Sequence, residues 1–329
     1  MSVFQQPLKG KSALQYIEKK QGYSLEALTA FPKYIMIETI NSCNSNCIMC
    51  GIDFSKKKKE EMTDSLYSKI TREIIDHKDN VEKVMLYLDC EPLLDKKLSQ
   101  RIHEMKKGGI KRVNIASNAS LLTEKVGTEI INAGLDEIYI TMDSLKKEVY
   151  EQIRCGLNFE TVHNNILCFV QLRNKLNPRL VIRIQMVLQG KNIDEVDAFN
   201  DHWIPQLSSN DQIIAQKAHN WGSTIKTVSF GDENTINNIP CVGLWGTFCI
   251  HVDGEVSLCS MDTKGVVSLG NINSERIADV WSGAEMEKIR EKHLSGKRNE
   301  IGICDGCALW REDKHAAEEV IRSNEVGRD

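Results

Sequence analysis

The chain has 329 residues, 42 Lys and Arg against 46 Asp and Glu, a formal charge of -4, and 41% apolar and 27% charged residues. This is the balance of a folded protein of about two domains, and it excludes disorder, collagen-like repeats and the basic excess of a nucleic-acid binder. The one long basic run, Lys56 to Lys59, is answered by Glu60 and Glu61, no stretch has the apolar length of a membrane span, and the N-terminus has no signal-peptide core; the expectation is a cytoplasmic protein with neither nucleic acid nor membrane as partner.

In chain order, residues 1–32 form a polar, weakly helical extension. Short β-branched runs then predict six strands: Tyr34 to Thr39, Lys83 to Leu88, Arg112 to Ser117, Glu137 to Met142, Arg179 to Leu188 and Asp211 to Gln216. Between them the spacing predicts helices over Asp64 to Asp76, Lys96 to Lys107, Thr123 to Ala133, Phe159 to Lys175 and Ile193 to Trp203. Serial βα repeats imply a parallel sheet with right-handed crossovers, and six units are too few for the closed eight-stranded barrel. An open, partial (βα)6 barrel over residues 33–239 is therefore expected. From Pro240 the pattern changes: TFCIHVDGEVSLC reads as a hairpin about Asp253-Gly254, with a helix near Ile277 to His293, giving a small second domain over 240–310 and a charged tail over 311–329. A two-residue turn at Asp253-Gly254 would pair Cys249 with Leu258 and Phe248 with Cys259, pointing Cys249 away from Cys259.

Eleven cysteines are many for a reducing compartment, so their spacing is read first as metal or catalytic chemistry. Cys43, Cys47 and Cys50 form C-x3-C-x2-C in the loop straight after the first strand, at the end where parallel α/β proteins place their chemistry. Three thiolates can hold three irons of a 4Fe-4S cluster and leave the fourth open to an external ligand, whereas a zinc site would need a fourth, distant ligand. Cys241, Cys259, Cys304 and Cys307 form a second set, the last two as C-x2-C; on spacing alone this set is zinc or iron-sulfur.

The first set resembles the signature of the radical S-adenosylmethionine (radical SAM) family, C-x3-C-x2-C after strand one of a partial (βα)6 barrel. Further segments extend the resemblance. DCEPLL is similar to the family's GGEPLL, which implies that Glu91 and adjacent backbone hold the cofactor's amino group, with Cys90 in place of the second glycine. ASNAS and ITMDS imply cofactor contacts from Asn118 and Thr141, and YEQIR implies an arginine, Arg154, near the methionyl carboxylate or the substrate. CVGLWGTFCIHVDGEVSLC with IADVW and ICDGC resembles the SPASM or twitch domain of this family, which implies one auxiliary 4Fe-4S cluster on the four-cysteine set, as in small-molecule members such as aminocyclitol dehydrogenases and aminoglycoside epimerases. The implied cofactors are two 4Fe-4S clusters and S-adenosylmethionine, with a flavodoxin, ferredoxin or reductase as electron donor. The implied chemistry is homolysis of the cofactor's C–S bond and hydrogen abstraction from substrate.

Four cysteines belong to neither set. Cys168 is expected in the core and Cys155 at a helix end. Cys249, on the auxiliary-domain hairpin, is the first candidate for a thiol that returns a hydrogen atom to a substrate radical, and Cys90 is the second. AHNWG places His219, Asn220 and Trp221 at the end of strand six, where two polar groups flanking an aromatic ring suit a hydroxyl-rich ligand. The expectation is an enzyme acting on a carbohydrate, aminocyclitol or similar polar small molecule by epimerisation. Alcohol dehydrogenation and ribosomal-peptide modification are its alternatives, and a non-catalytic iron-sulfur or zinc protein is the competing class.

Overall fold

The computed structural model describes residues 7–52, 54, 58–218, 221, 239–307 and 320–322. Its helices in chain order are α1 (Gly10–Gln21), α2 (Leu25–Ala30), α3 (Asp64–Asp76), α4 (Leu98–Lys107), α5 (Glu124–Asn132), α6 (Lys147–Ile153), α7 (Phe159–Leu176), α8 (Val196–Trp203), α9 (Ile277–Trp281) and α10 (Ala284–Leu294). Its strands are β1 (Tyr34–Ile37), β2 (Lys83–Met85), β3 (Val113–Ser117), β4 (Glu137–Thr141), β5 (Val181–Leu188), β6 (Gln212–Lys217), β7 (Thr247–Ile250), β8 (Glu255–Ser257), β9 (Ser268–Asn271) and β10 (Val320–Arg322). All six strands expected from the β-branched runs are present: four are one or two residues shorter, β2 stops three residues early at Met85, and β6 is shifted one residue along, Gln212–Lys217. The chain divides into two compact units.

The cysteine-loop unit holds residues 39–61, 85–218 and 314–329. In it β3, β4, β5 and β6 run parallel in that order, and β10 adds an antiparallel edge on β6. Residues of β5 alternate half-buried and buried along its whole length, the period-2 pattern that fixes register. Two of its helices start where a side chain caps them: Thr123 accepts from Val126 N–H at α5, and Asn158 from Thr161 N–H at α7. A 3-10 turn (Ile193–Glu195) leads into α8, so the expected helix begins one turn late. The short helix α6 is absent from the sequence reading, because it has no side-chain cap and little apolar periodicity to betray it. On α7 the buried stripe is Val162, Ile166, Phe169, Val170 and Arg173. Cys168 lies off that stripe and is exposed, correcting the expectation of a core thiol.

One buried ion pair ties this unit's last two parallel strands to α7. Arg173, 0% exposed, donates to both oxygens of Asp211 and to the carbonyl of Leu180, while Asp211 also accepts from Ile182 N–H and from Ser208. The alignment stands because every oxygen lone pair removed from water is given a donor.

The hairpin unit holds residues 1–38, 62–84 and 219–313. Here β7 pairs parallel to β1, then antiparallel to β8, which pairs antiparallel to β9. The N-terminal segment is structural in this unit: Ile17 of α1 and Leu28 of α2 share one buried cluster with Leu244, Trp245, Leu258, Ile289 and Cys304. Trp281 of α9 donates its indole N–H to the Leu28 carbonyl at 3.0 Å, and Glu73 of α3 caps α9 by accepting from Ile277 and Ala278 N–H. No helix among the described residues is long and apolar enough to cross a membrane.

The hairpin register differs from the expected one by a residue. Cys249 pairs with Ser257, and Ile250 with Val256. The turn is closed by His251 N–H to the Glu255 carbonyl at 2.8 Å, leaving a three-residue loop, Val252 to Gly254, with Gly254 at φ 85°. A loop of three rather than two moves the pairing by one and so reverses the face of every later side chain.

Asp211→Ala should lower stability by about 3–5 kcal/mol, because it leaves the Arg173 charge buried without its partner. The double change Arg173→Met with Asp211→Leu should cost less than Asp211→Ala alone. Urea midpoints of the three proteins check both statements.

Candidate iron-sulfur and cofactor site

The loop from Thr39 to Glu61 is tied at its neck by Asn41, whose N–H donates to the Glu60 carbonyl and whose side chain accepts from Glu60 N–H. Within it Cys43, Cys47 and Cys50 are all half-buried, and Cys50 N–H closes a turn on the Cys47 carbonyl at 3.0 Å. Burial pushes the Cys43 thiol up to about 12, with the charges of Glu91, Cys47 and Cys50 adding to it, and pushes Cys50 up to about 11, with Cys47 contributing. Thiols that raise one another's pKa in this way stand together. They fit a metal that deprotonates and binds all three.

The rest of the loop is held from two sides. Asn46 N–H donates to the Cys155 carbonyl, Ile48 N–H to the Ile153 carbonyl, and Ser45 Oγ to the Cys155 carbonyl; Cys155 follows the end of α6 by two residues, a helix end as expected, on a helix that is absent from the sequence reading. On the other side Asn118 Nδ2 donates to Asn44 Oδ1 at 2.9 Å, and Asn44 Nδ2 donates to Ser120 Oγ at 2.8 Å.

Glu91 joins the two sides. Its N–H donates to the Ser42 carbonyl at 2.8 Å, and Pro92 starts a 3-10 turn (Pro92–Leu94) that Glu91 caps. Its carboxylate is 2% exposed and accepts from Ser117 Oγ (2.8 Å), Asn118 N–H (2.7 Å) and Leu93 N–H (3.1 Å). Burial raises its pKa, and these donors act against that rise. Ionised, a carboxylate offers about four lone-pair sites, so three protein donors leave room for one more. Cys90, half-buried, is the preceding residue. Ala119 sits at φ 59°, fully buried; its N–H bonds Ser117 Oγ, and its carbonyl accepts from Asn165 Nδ2, which together hold a left-handed backbone unusual for alanine.

Thr141, half-buried at the end of β4, reaches the Ser117 carbonyl only at 3.5 Å. Two residues on, Asp143 is fully buried, accepts from Val187 N–H at 2.7 Å on one oxygen, and takes Arg154 Nε–H at 2.5 Å on the other. Arg154 Nη1 lies 3.4 Å from Cys47 Sγ. Burial opposes the guanidinium charge, and Asp143 and Cys47 outweigh it, so its pKa is raised. Sequence reasoning found Arg154 but missed Asp143, although it sits in the quoted ITMDS segment, and missed Asn44, Ser45 and Ser117.

In the hairpin unit, Cys304 and Cys307 are buried, Cys241 and Cys259 half-buried. Burial raises Cys241 to about 11, against the lowering charge of Arg298; it raises Cys304 to about 12 and Cys259 well above its usual value, with neighbouring thiols of the set adding in each case. Arg298, 2% exposed, clamps this set: Nε donates to the Cys304 carbonyl at 3.0 Å, Nη2 to Cys307 at 2.5 Å and Nη1 to Ile239 at 3.4 Å. His293 Nδ1 accepts from Cys241 N–H at 3.1 Å, and burial next to Arg298 lowers the imidazole pKa to about 3, so it stays neutral. Four grouped thiols with a cation behind their backbone fit a fully ligated cluster.

Cys249 is 1% exposed, with Sγ 3.9 Å from Met36 Sδ on the paired strand. Its neighbour Phe248 packs edge-on against Trp281, ring centroids 6.0 Å apart, so strand alternation puts Cys249 and His251 on the opposite face. His251 there meets Glu38, at 3.4 Å, and Glu38 also accepts from Val252 N–H. The observed register corrects the expectation that Cys249 points away from Cys259: it pairs with Ser257, two residues before Cys259, and its charge helps raise the Cys259 pKa. His219 and Asn220 lie outside the described residues. Trp221 is half-buried at φ 47°.

Two family models match. Residues 37–202 match the radical SAM superfamily and residues 241–308 match SPASM, an iron-sulfur cluster-binding domain. A probable GTP 3',8-cyclase of Methanococcus maripaludis is 32% identical over 161 residues, 49% of this chain and 51% of that protein. The tungsten-containing aldehyde ferredoxin oxidoreductase cofactor-modifying protein of Pyrococcus furiosus is 30% identical over 115 residues, 34% of this chain and 31% of its own. The chain thus spans about half the length, or less, of these curated relatives. Among solved structures, BtrN in complex with AdoMet and 2-DOIA shares the fold at TM-score 0.58 and 18% identity, covering 88% of this chain and 98% of that one. Native anSMEcpe with bound AdoMet does so at TM-score 0.62 and 14% identity, covering 88% and 95%. The α/β core with its parallel strands, the two cysteine sets and both family matches have one reading: the chain belongs to the radical SAM superfamily, an enzyme of 4Fe-4S clusters and S-adenosylmethionine with a C-terminal SPASM domain.

Proposed function

We propose that the enzyme abstracts a hydrogen atom from a C–H bond of a polar small molecule of the carbohydrate or aminocyclitol class and returns one from Cys249, inverting the carbon. The observation that carries this reading is Cys249 itself, the buried cysteine outside both metal-binding sets, on β7 with its side chain on the face of Met36, Glu38 and His251. Support for a small substrate comes from a fold neighbour, whose structure holds AdoMet and 2-DOIA.

Cys43, Cys47 and Cys50 would hold a cluster with one iron open to S-adenosylmethionine, and together these cofactors supply one-electron cleavage of a C–S bond. Glu91 keeps the Cys43 loop and the end of β3 in register, and its carboxylate would hold the cofactor's ammonium. Asn118 and Thr141 stand at neighbouring strand ends for its other polar groups. Cys249 then gives its S–H hydrogen to the substrate carbon: the S–H bond breaks, the C–H bond forms, and one electron with one proton later restores the thiol. A flavodoxin, ferredoxin or reductase supplies the electrons. His219, Asn220 and Trp221 are proposed to hold the substrate. Oxidation of an alcohol is the second reading, favoured by the four protein thiols of the SPASM set, which suit electron acceptance better than substrate chelation.

Anaerobically reconstituted protein should hold about eight irons per chain, the sum of two four-iron clusters, and changing Cys43, Cys47 and Cys50 together to Ala should remove about half of them. Stoichiometric zinc in place of the second half would end the two-cluster reading. Glu91→Ala should weaken S-adenosylmethionine binding roughly tenfold to a hundredfold by isothermal titration, since a charge-assisted hydrogen bond is worth about 1.5–3 kcal/mol; unchanged affinity would remove Glu91 from the cofactor site. In deuterium oxide the product should gain one carbon-bound deuterium at the inverted centre, because a thiol exchanges with solvent before it donates. Cys249→Ala should still cleave S-adenosylmethionine yet form no inverted product. Normal turnover of that variant to a carbonyl product points to oxidation, and deuterium retained in it moves the donor to Cys90.

A further inference from the structure

The three cysteines of the first set are not equivalent. Cys43 and Cys50 receive backbone N–H groups, from Ser45 and Ile52. Cys47 meets side chains instead: Ser45 Oγ lies 3.0 Å from its Sγ, and the Arg154 guanidinium donates to it at 3.4 Å. Among the described residues, Cys47 is the one of the three that meets a cationic donor at hydrogen-bond distance.

That cation is fixed with unusual care. Asp143 is fully buried, and both its oxygens are used, one by Val187 N–H and the other by Arg154 Nε. Its carbonyl accepts from Asn192 Nδ2 at 2.6 Å, and Asn192 Nδ2 also reaches the Val187 carbonyl at 3.0 Å. The Arg154 N–H bonds the Tyr150 carbonyl at 2.7 Å at the end of α6. With Nε held by Asp143, Nη1 of the same planar guanidinium reaches Cys47 Sγ at 3.4 Å. An arginine kept only to meet an incoming carboxylate has no need to be aimed at a cysteine.

We propose that Arg154, positioned by Asp143, raises the reduction potential of the cluster bound by Cys43, Cys47 and Cys50 through its charge and hydrogen bond at Cys47. Reduction adds a negative charge to the cluster. A fixed cation and an N–H donor at a ligand sulfur favour the more negative state, and such donors are among the factors that set iron-sulfur potentials. The assignment rests on the first set holding a 4Fe-4S cluster, and not on which product the enzyme makes. It makes Arg154 a positioning residue for electron entry, separate from any contact of its other N–H groups with the cofactor.

The test is an EPR-monitored redox titration of the anaerobically reconstituted full chain without S-adenosylmethionine or substrate. The first cluster is identified as the signal lost when Cys43, Cys47 and Cys50 are changed to Ala. Arg154→Gln should keep wild-type iron and move that midpoint to a more negative potential, leaving the second cluster's midpoint in place. Arg154→Lys keeps a charge opposite Asp143 and so keeps the fold testable; its midpoint should fall between the other two. A wild-type midpoint in either iron-loaded variant, including one in which only S-adenosylmethionine affinity has changed, would overturn the proposal. A wild-type protein with no reducible signal from the first set would instead overturn the cluster reading on which it rests.

Discussion

The arrangement of the candidate site depends on a carboxylate taken out of water. Glu91 is buried, and burial alone would make its charge costly by several kcal/mol. Ser117 Oγ, Asn118 N–H and Leu93 N–H meet the carboxylate, and each of these donors belongs to a segment that the site needs in place. Through them β3's end is drawn to the turn after β2. Through its own N–H, Glu91 draws the Cys43 loop to the same point at Ser42. Asn118 then passes the constraint on to Asn44, inside the cysteine loop. A short acid at this position could not span to both β3 donors, and an amide would carry no charge for them to assist.

The two cysteine sets are supported by the same physical device in different geometry. Each has one buried arginine, and in each the guanidinium charge acts on the thiols. Arg298 does so from behind, donating to three backbone carbonyls that include those of Cys304 and Cys307; it fixes where those cysteines lie. Arg154 donates to a cysteine sulfur directly and is itself fixed by Asp143. The first arrangement holds the backbone of its cysteines. The second puts a polar contact at a cysteine sulfur.

Much of this was legible in the sequence, because cysteine spacing and strand periodicity are local signals. C-x3-C-x2-C, the C-x2-C pair Cys304 and Cys307 and each of the six β-branched runs are patterns within a few residues, and Glu91, Asn118 and Arg154 lie in segments with a recognisable pattern. What stayed hidden depends on distance along the chain or on a single backbone angle. Arg298 contacts Ile239, 59 positions away, and nothing near it marks it as other than a surface cation. The helices α1 and α2 read as a polar extension, since only Ala13, Ile17 and Leu28 are buried in them. The face of Cys249 turned on whether Gly254 closes a two- or three-residue loop; its φ of 85° and the His251–Glu255 hydrogen bond give three, and one residue reverses the outcome.

In the proposed function the cysteine loop serves to cleave S-adenosylmethionine and begin radical chemistry. The most direct measurement is 5'-deoxyadenosine release from anaerobically reconstituted protein given S-adenosylmethionine and dithionite. The account predicts release from the wild-type chain and none from protein in which Cys43, Cys47 and Cys50 are replaced. Wild-type protein with its full iron content and no 5'-deoxyadenosine would contradict it.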